Sequence, residues 1–217
     1  MAPEHTEESL HRLVADAGRA GEVWAETSPA DRADVLGAVA DALDTAADRL
    51  VPIAEAETRL PEARLRGELK RTSFQLRLLA EAAAGGDHLD VRVDHADPDW
   101  PKGAPRPDLR RSAVPLGPVL VFGASNFPFA FSVAGGDTAA ALAAGCPVIV
   151  KAHEGHPELS DATAEVVSTA LREAGAPDGL FALIHEPATA RAVLTHPDVK
   201  AAAFTGSIPG GRALFDL

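Results

Sequence analysis

The sequence predicts an α/β protein in which N-terminal helices precede an open parallel sheet. Apolar residues recur at helical spacing through about residues 5–84, which indicates amphipathic helices. From residue 111 onward, short β-rich runs alternate with helical patterns, as in parallel strands joined by helices. A proline-rich stretch separates the two patterns. We therefore predict a helical part (1–86), an arm or linker (87–110) and a sheet-containing part (111–217).

The helical part carries its own start and stop signals. Ser28 can cap a helix, Pro29 suits a first turn, and Asp31 favours the positive end of the helix dipole. Pro61 is a second predicted helix start, and Gly85–Gly86 is its predicted end. These signals predict several helices rather than one long one.

The arm changes character within a few residues. Leu89, Val91 and Val93 alternate with polar residues, which predicts a short strand within 87–94. Four prolines and a glycine then follow between Pro98 and Pro107, and this stretch is predicted to be a loop.

The third part is predicted to be Rossmann-like. Its predicted strands are 119–122, 147–150, 180–184 and 199–204, and its predicted helices are 131–144, 160–174, 189–195 and 210–217. The pattern stops in the opening turns of a helix. We therefore expect a sheet that is incomplete at its C-terminal side, with an exposed edge on its last strand. Ligands of such sheets bind at the carboxyl ends of the strands.

Composition limits the partners. The formal charge is 20 − 32 = −12, which disfavours nucleic acid and anionic membranes. The one cysteine, Cys146, cannot form an internal disulfide, so a reducing cytoplasmic location is expected. The acidic first ten residues do not resemble a signal peptide, and no apolar run is long enough to span a bilayer.

The first strand end with chemical potential is Gly123–Pro128, between a predicted strand and a predicted helix. The amide of Asn126 can donate a hydrogen bond to a developing oxyanion. The alternative is a plain turn, because asparagine before Phe-Pro is a common turn residue.

The second strand end places Lys151 where its ammonium can reach a ribose hydroxyl or a phosphate. Glu154 can accept a hydrogen bond from a ribose 2′-hydroxyl. The alternative is two solvated loop charges. His153 and His156 suggest a metal pair, but no third ligand has suitable spacing, so no metal site is expected.

The third strand end is Phe204–Gly211, where a strand leads into a glycine-rich turn and a helix. Backbone amides around Gly206, Ser207 and Gly210 can bind a pyrophosphate. The segment lacks the G-x-G-x-x-G pattern, so a plain turn remains the alternative.

The three segments occur together and in order. The run from Val114 to Pro128, Lys151 and the Phe204-Thr-Gly-Ser run resemble the aldehyde dehydrogenase superfamily over about residues 5–217. Residues 122–136 and the two histidines are most similar to the α-ketoglutarate semialdehyde (2,5-dioxopentanoate) and NADP-dependent fatty-aldehyde dehydrogenases. The resemblance implies NAD(P)-dependent oxidation of an aldehyde to a carboxylic acid.

The resemblance also implies residue roles. Asn126 corresponds to the asparagine that stabilises the thiohemiacetal oxyanion, and Lys151 to the lysine that contacts the adenosine ribose. Glu154 lies where NAD or NADP is selected, and its carboxylate favours NAD, unlike the NADP-preferring relatives. Gly206 and Ser207 correspond to the turn near the pyrophosphate. Residues 87–110 resemble the arm that helps to build the family's oligomers.

The family's cysteine nucleophile and catalytic glutamate follow the Phe-Thr-Gly-Ser segment. Cys146 instead lies in Ala-Gly-Cys-Pro before a predicted buried strand, so we expect it to be a small structural residue. The chain is therefore expected to be the cofactor-binding half of a dehydrogenase, a fragment or truncated product inactive alone. The alternatives are a non-catalytic nucleotide-binding or assembly module, and an unrelated Rossmann-type binding protein.

Overall fold

The computed structural model describes residues 6–101 and 103–217. The predictions that fall on residues 1–5 and 102, including the first five residues of the helical part, lie outside the described residues. The helical part consists of α1 (Glu7–Glu26), α2 (Pro29–Thr45), α3 (Ala47–Thr58) and α4 (Glu62–Gly85).

The predicted helix signals act as expected. The Ser28 hydroxyl accepts a hydrogen bond from the backbone N–H of Asp31 at 3.1 Å, which caps α2. Helix α4 begins directly after Pro61. It ends at Gly86, whose φ of 73° is left-handed backbone that glycine adopts without a steric cost.

The arm forms a small antiparallel ribbon. Strand β1 (Arg92–Asp94) pairs with β2 (Leu109–Arg111), and both strands are exposed along their length. The first strand is shorter than predicted, because residues 87–89 form a 3-10 turn, and the second strand was not predicted.

The sheet is open and parallel, with strand order β5-β4-β3-β6. Its strands are β3 (Val119–Phe122), β4 (Val148–Lys151), β5 (Phe181–Ile184) and β6 (Ala201–Phe204). The helices that follow are α5 (Gly136–Ala143), α6 (Pro157–Glu173), α7 (Pro187–Leu194) and α8 (Ile208–Phe215). Among the described residues, β6 pairs with β3 alone, so the expected exposed edge is present.

Two predicted helix starts are wrong by several residues. Helix α5 begins at residue 136 rather than 131, because the preceding backbone forms tight turns. The Gly136 N–H bonds to the Ala130 carbonyl at 3.1 Å, and a Cβ atom at Gly135 would collide with that same carbonyl group. The remaining boundaries of the sheet-containing part differ from the prediction by two residues at most, and β3 matches it at both ends.

Helix α6 begins at Pro157 rather than at 160. The Glu57 carboxylate, from α3, accepts hydrogen bonds from the backbone N–H groups of Glu158 at 2.9 Å and Leu159 at 2.8 Å. This distant carboxylate satisfies donors at the positive end of the helix and extends it by a turn.

The core has one region on each face of the sheet. The larger lies between the sheet and helices α2 to α6 and includes Ala20 and Trp24 of α1, and the smaller is closed by the first half of α1 and by α7. Trp24 is 1 % exposed and donates from Nε1 to the Leu142 carbonyl at 2.9 Å. Cys146 is 3 % exposed in the larger region, so its expected structural position is confirmed.

Candidate functional site

The order in which successive strands join the sheet reverses at β3. The chain passes from β3 to β4 and β5 on one side, then returns to place β6 on the other. Phe122 and Phe204 are in register, so the loops after β3 and β6 leave the same edge of the sheet. Between them lies an open cleft of about 590 Å³, lined by residues 123–127, 131, 153 and 204–207. Open α/β sheets bind ligands at such crossover points.

The β3 loop forms one wall of this cleft. Asn126 is exposed there, and its backbone carbonyl accepts a hydrogen bond from Arg64 Nη2 at 2.7 Å. Gly123 lies where the loops after β3 and β4 meet, and a Cβ atom there would lie 3.0 Å from Ser132 Oγ and 3.3 Å from the Lys151 carbonyl oxygen. Glycine therefore allows the two strand ends to approach closely.

An ion pair joins the last residue of β4 to the loop that follows it. Lys151 Nζ lies 3.5 Å from Glu154 Oε1, and the two side chains are 12 % and 71 % exposed. The ammonium is therefore partly sheltered and the carboxylate is largely solvated. Neither side chain lines the cleft itself, but the same loop contributes His153 to it.

His153 is held in one orientation. Its Nδ1 accepts a hydrogen bond from the Gly155 N–H at 2.9 Å, so the neutral ring carries its proton on Nε2. Burial, followed by the proximity of His156 and Lys151, lowers the pKa of His153. A neutral imidazole with a fixed donor atom thus lines the cleft.

His156 packs against the ring of His153. It is fully buried, and its ring stacks on that of His153 with centroids 5.6 Å apart. Its Nε2 lies 2.9 Å from the Ala124 carbonyl oxygen and its Nδ1 lies 3.1 Å from Ser160 Oγ. The described part of the chain contains no group of three or more metal-ligating side chains.

The β6 turn forms the opposite wall. Ser207 Oγ accepts a hydrogen bond from the Gly210 N–H at 3.2 Å and so caps α8. Gly206 packs against Phe204, since a Cβ atom at 206 would lie 2.5 Å from the ring Cζ. The first turn of α8 therefore begins directly at the cleft, where its N–H groups carry partial positive charge.

The sequence model of the aldehyde dehydrogenase family matches residues 1–216. The chain belongs to this family. It is 45 % identical over 194 residues to an α-ketoglutaric semialdehyde dehydrogenase of Acinetobacter baylyi. It is 50 % identical over 190 residues to α-ketoglutaric semialdehyde dehydrogenase 2 of Azospirillum brasilense. These alignments cover 89 % and 87 % of the chain but only 37 % and 36 % of the relatives.

A solved structure of an NAD-dependent aldehyde dehydrogenase from Sinorhizobium meliloti is similar, with a TM-score of 0.77 at 28 % identity. The alignment covers 99 % of this chain and 40 % of that one. The predicted fold class and the resemblance to the aldehyde dehydrogenases are both confirmed. The chain spans little more than a third of the relatives' length.

The structure brings some predicted site residues together. Asn126, Gly206 and Ser207 line one cleft, Lys151 pairs with Glu154 beside it, and Gly210 lies in the first turn of α8. Their roles stay predictions.

Sequence reasoning missed other residues around the cleft. It considered His153 only as a metal ligand, although its position two residues after a strand end was a usable signal for a place at the cleft. Arg64 and Glu68, which contact the β3 loop from α4, carried no local signal, because their partners lie about sixty residues away in sequence.

Within the described residues, no helix has the length and apolar character needed to cross a bilayer. The cytoplasmic location stays a prediction.

Proposed function

We propose that this chain binds a nicotinamide dinucleotide for the oxidation of an aldehyde to a carboxylic acid. The observation that carries the proposal is the cleft at the crossover of the sheet, with Asn126 on one wall and the start of α8 on the other. Both the Asn-Phe-Pro turn and the α8 turn belong to a chain whose family is established.

The cleft residues fit such a cofactor chemically. The start of α8 suits a pyrophosphate through the positive end of its dipole, since Pro209 has no N–H and the Gly210 N–H already bonds to Ser207 Oγ. The protein's charge of −12 makes this local feature necessary. The Lys151 ammonium and the Glu154 carboxylate are proposed to hold the hydroxyls of the adenosine ribose.

Asn126 is proposed to act on the aldehyde. Its side-chain amide would donate to the oxygen that becomes negatively charged when a thiol adds to the carbonyl carbon. The bound NAD(P)+ would supply the hydride acceptor. Cys146 is 3 % exposed and lies before β4, so we propose that residues 1–217 do not themselves provide the thiol nucleophile.

The proposed substrate is α-ketoglutarate semialdehyde, because two relatives of 45 % and 50 % identity are named for it. The proposed cofactor is NAD rather than NADP. A 2′-phosphate would lie near the Glu154 carboxylate, and like charges repel.

Calorimetric titration of the 217-residue chain with NAD+ and NADP+ tests the proposal. We expect both to bind, NAD+ more tightly, and Lys151→Met to weaken both. Lys70→Met removes the same charge from α4, away from the cleft, and should change neither affinity. The absence of binding by either cofactor would contradict the proposal.

A second candidate is a non-catalytic nucleotide-binding module, which the burial of Cys146 favours. The two candidates are separated by purifying the protein from its own cells and testing whether aldehyde-dependent NADH formation co-purifies with it. Its presence supports the dehydrogenase. Its absence, with cofactor binding retained, supports the module.

We also propose that the arm contacts a second copy of the chain. Val93 in β1 and Val91, directly before β1, are two residues apart and are 46 % and 62 % exposed. Sedimentation velocity measures the resulting mass.

A further inference from the structure

One face of α4 holds the β3 wall of the cleft. Arg64, Glu68 and Arg71 are spaced four and three residues apart, so they lie along one side of the helix. Each of them contacts a different part of the loop 126–131, and none of them lines the cleft.

Glu68 satisfies the middle of the loop. Its side chain is buried, with 5 % of the residue exposed, and Oε1 accepts hydrogen bonds from the N–H of Phe129 at 2.8 Å and of Ala130 at 3.0 Å. Phe129 and Ala130 are themselves buried, at 2 % and 0 % exposure. Buried N–H groups need a partner, and an ionised acceptor makes the stronger bond.

Arg64 holds the loop end that carries Asn126. Its Nη2 donates to the Asn126 carbonyl at 2.7 Å, and its guanidinium lies 5.2 Å from the centroid of the Phe127 ring. One side chain thus fixes both the backbone of Asn126 and the next aromatic ring, and both residues line the cleft.

Arg71 extends the same contact. Its guanidinium lies 5.4 Å from the centroid of the Phe131 ring, which packs edge-to-face on Phe127 at 5.4 Å. The two aromatic rings of the cleft wall are therefore each backed by an arginine of α4.

We propose that Arg64 and Glu68 are positioning residues that set the shape of the cleft wall, and that cofactor affinity depends on them although neither touches the cofactor. The inference rests on the proposed function for the identity of the ligand. A wall that is already ordered costs less free energy to bind against than one that must be ordered on binding.

The test compares Arg64→Met, Arg64→Lys and Glu68→Gln in the 217-residue chain. Arg66→Met is the matched control, because Arg66 lies on the same helix but bonds to Asp48 and Glu62 instead of the loop. Three quantities are measured: NAD+ affinity by calorimetry, the melting temperature, and amide hydrogen exchange at Phe127 and in residues 129–131.

Arg64→Met is expected to weaken NAD+ binding by roughly fivefold and to leave the melting temperature nearly unchanged, since surface contacts add little stability. Arg64→Lys, which retains a cationic donor, is expected to recover part of the affinity. Glu68→Gln replaces a charged acceptor by a neutral one, so exchange at Phe129 and Ala130 should accelerate by about tenfold. Arg66→Met should change neither affinity nor exchange in the loop.

Unchanged NAD+ affinity in Arg64→Met would overturn the inference, as would an equal loss in Arg66→Met. If Glu68→Gln does not fold, the Arg64 variants decide. If the unsubstituted chain binds neither NAD+ nor NADP+, the proposed function fails. Amide hydrogen exchange in the loop then tests by itself whether Arg64 and Glu68 hold the cleft wall. Exchange that stays unchanged in the Arg64 and Glu68 variants would then overturn the inference.

Discussion

Replacing Glu154 by threonine should shift the cofactor preference of the chain toward NADP+. The Glu154 carboxylate is 71 % exposed, and its Oε1 lies 3.5 Å from Lys151 Nζ. The substitution removes a negative charge near the proposed position of the ribose. It also frees the Lys151 ammonium, so both effects favour a 2′-phosphate.

The size of the shift follows from the exposure of Glu154. Two unit charges 4 Å apart interact by about 1 kcal/mol in water and about 4 kcal/mol at an effective dielectric constant near 20. A side chain as solvated as that of Glu154 lies close to the first value. A phosphate monoester carries nearly two charges at neutral pH, so the relief is about 2 kcal/mol, or roughly 30-fold in relative affinity.

The hydrogen bond that Glu154 is proposed to make to the 2′-hydroxyl of NAD+ would be lost as well. A net hydrogen bond contributes about 1 kcal/mol, so NAD+ binding should weaken by roughly fivefold. The ratio of the two dissociation constants is therefore the sensitive quantity, because both terms move it in the same direction.

Calorimetry with each cofactor gives this ratio for the unsubstituted chain and for Glu154→Thr. Glu173→Thr is the control, because it removes the same charge at the opposite end of α6. Raising the salt concentration should reduce the discrimination of the unsubstituted chain, since exposed charges are screened. A ratio that stays within twofold in Glu154→Thr, or that changes equally in Glu173→Thr, would remove Glu154 from the site.

Two further predictions concern stability. The lowered pKa of His153 means that the folded state favours the neutral ring. The contribution of His153 to the free energy of unfolding is therefore complete above the ordinary histidine pKa of about 6.5, and it is lost as the pH falls through the lowered pKa of the folded state. Urea unfolding between pH 7.5 and 5 should show this loss, and His153→Asn should reduce it; an identical pH profile would refute the assignment. Trp24→Phe should cost about 1 kcal/mol in the free energy of unfolding, because it removes one buried hydrogen bond while the Leu142 carbonyl keeps the Gly145 N–H as a partner. A smaller loss in denaturant unfolding would mean that water replaces the indole N–H.

The fold class could be predicted because its signals are local. The cap at Ser28 and the stop at Gly86 depend on residues within one turn of each other. The position of Cys146 followed from the buried strand directly after it. Strand order, by contrast, was not predicted, because the pairing of β3 with β6 joins residues about eighty positions apart.

The candidate site was predictable in part for the same reason. Asn126, Lys151 and Ser207 each lie at or shortly after the end of a strand, and the strands of a parallel sheet end at one edge, so the sequence by itself placed these residues near one another. The place of His153 in the cleft needed the tertiary structure, because it depends on how the loops after β3, β4 and β6 pack together.

The sequence by itself therefore determined the type and order of the elements from β3 to α8 and the strand ends that carry chemistry. These properties depend on local periodicity, on helix-terminal residues and on chain neighbours. Only the tertiary structure shows which distant residues fix the backbone around those strand ends. Glu57 sets where α6 begins from 101 residues away, and Glu68 holds the cleft wall from 61 residues away. A carboxylate that satisfies distant backbone N–H groups looks, in the sequence, like any charge on the surface of a helix.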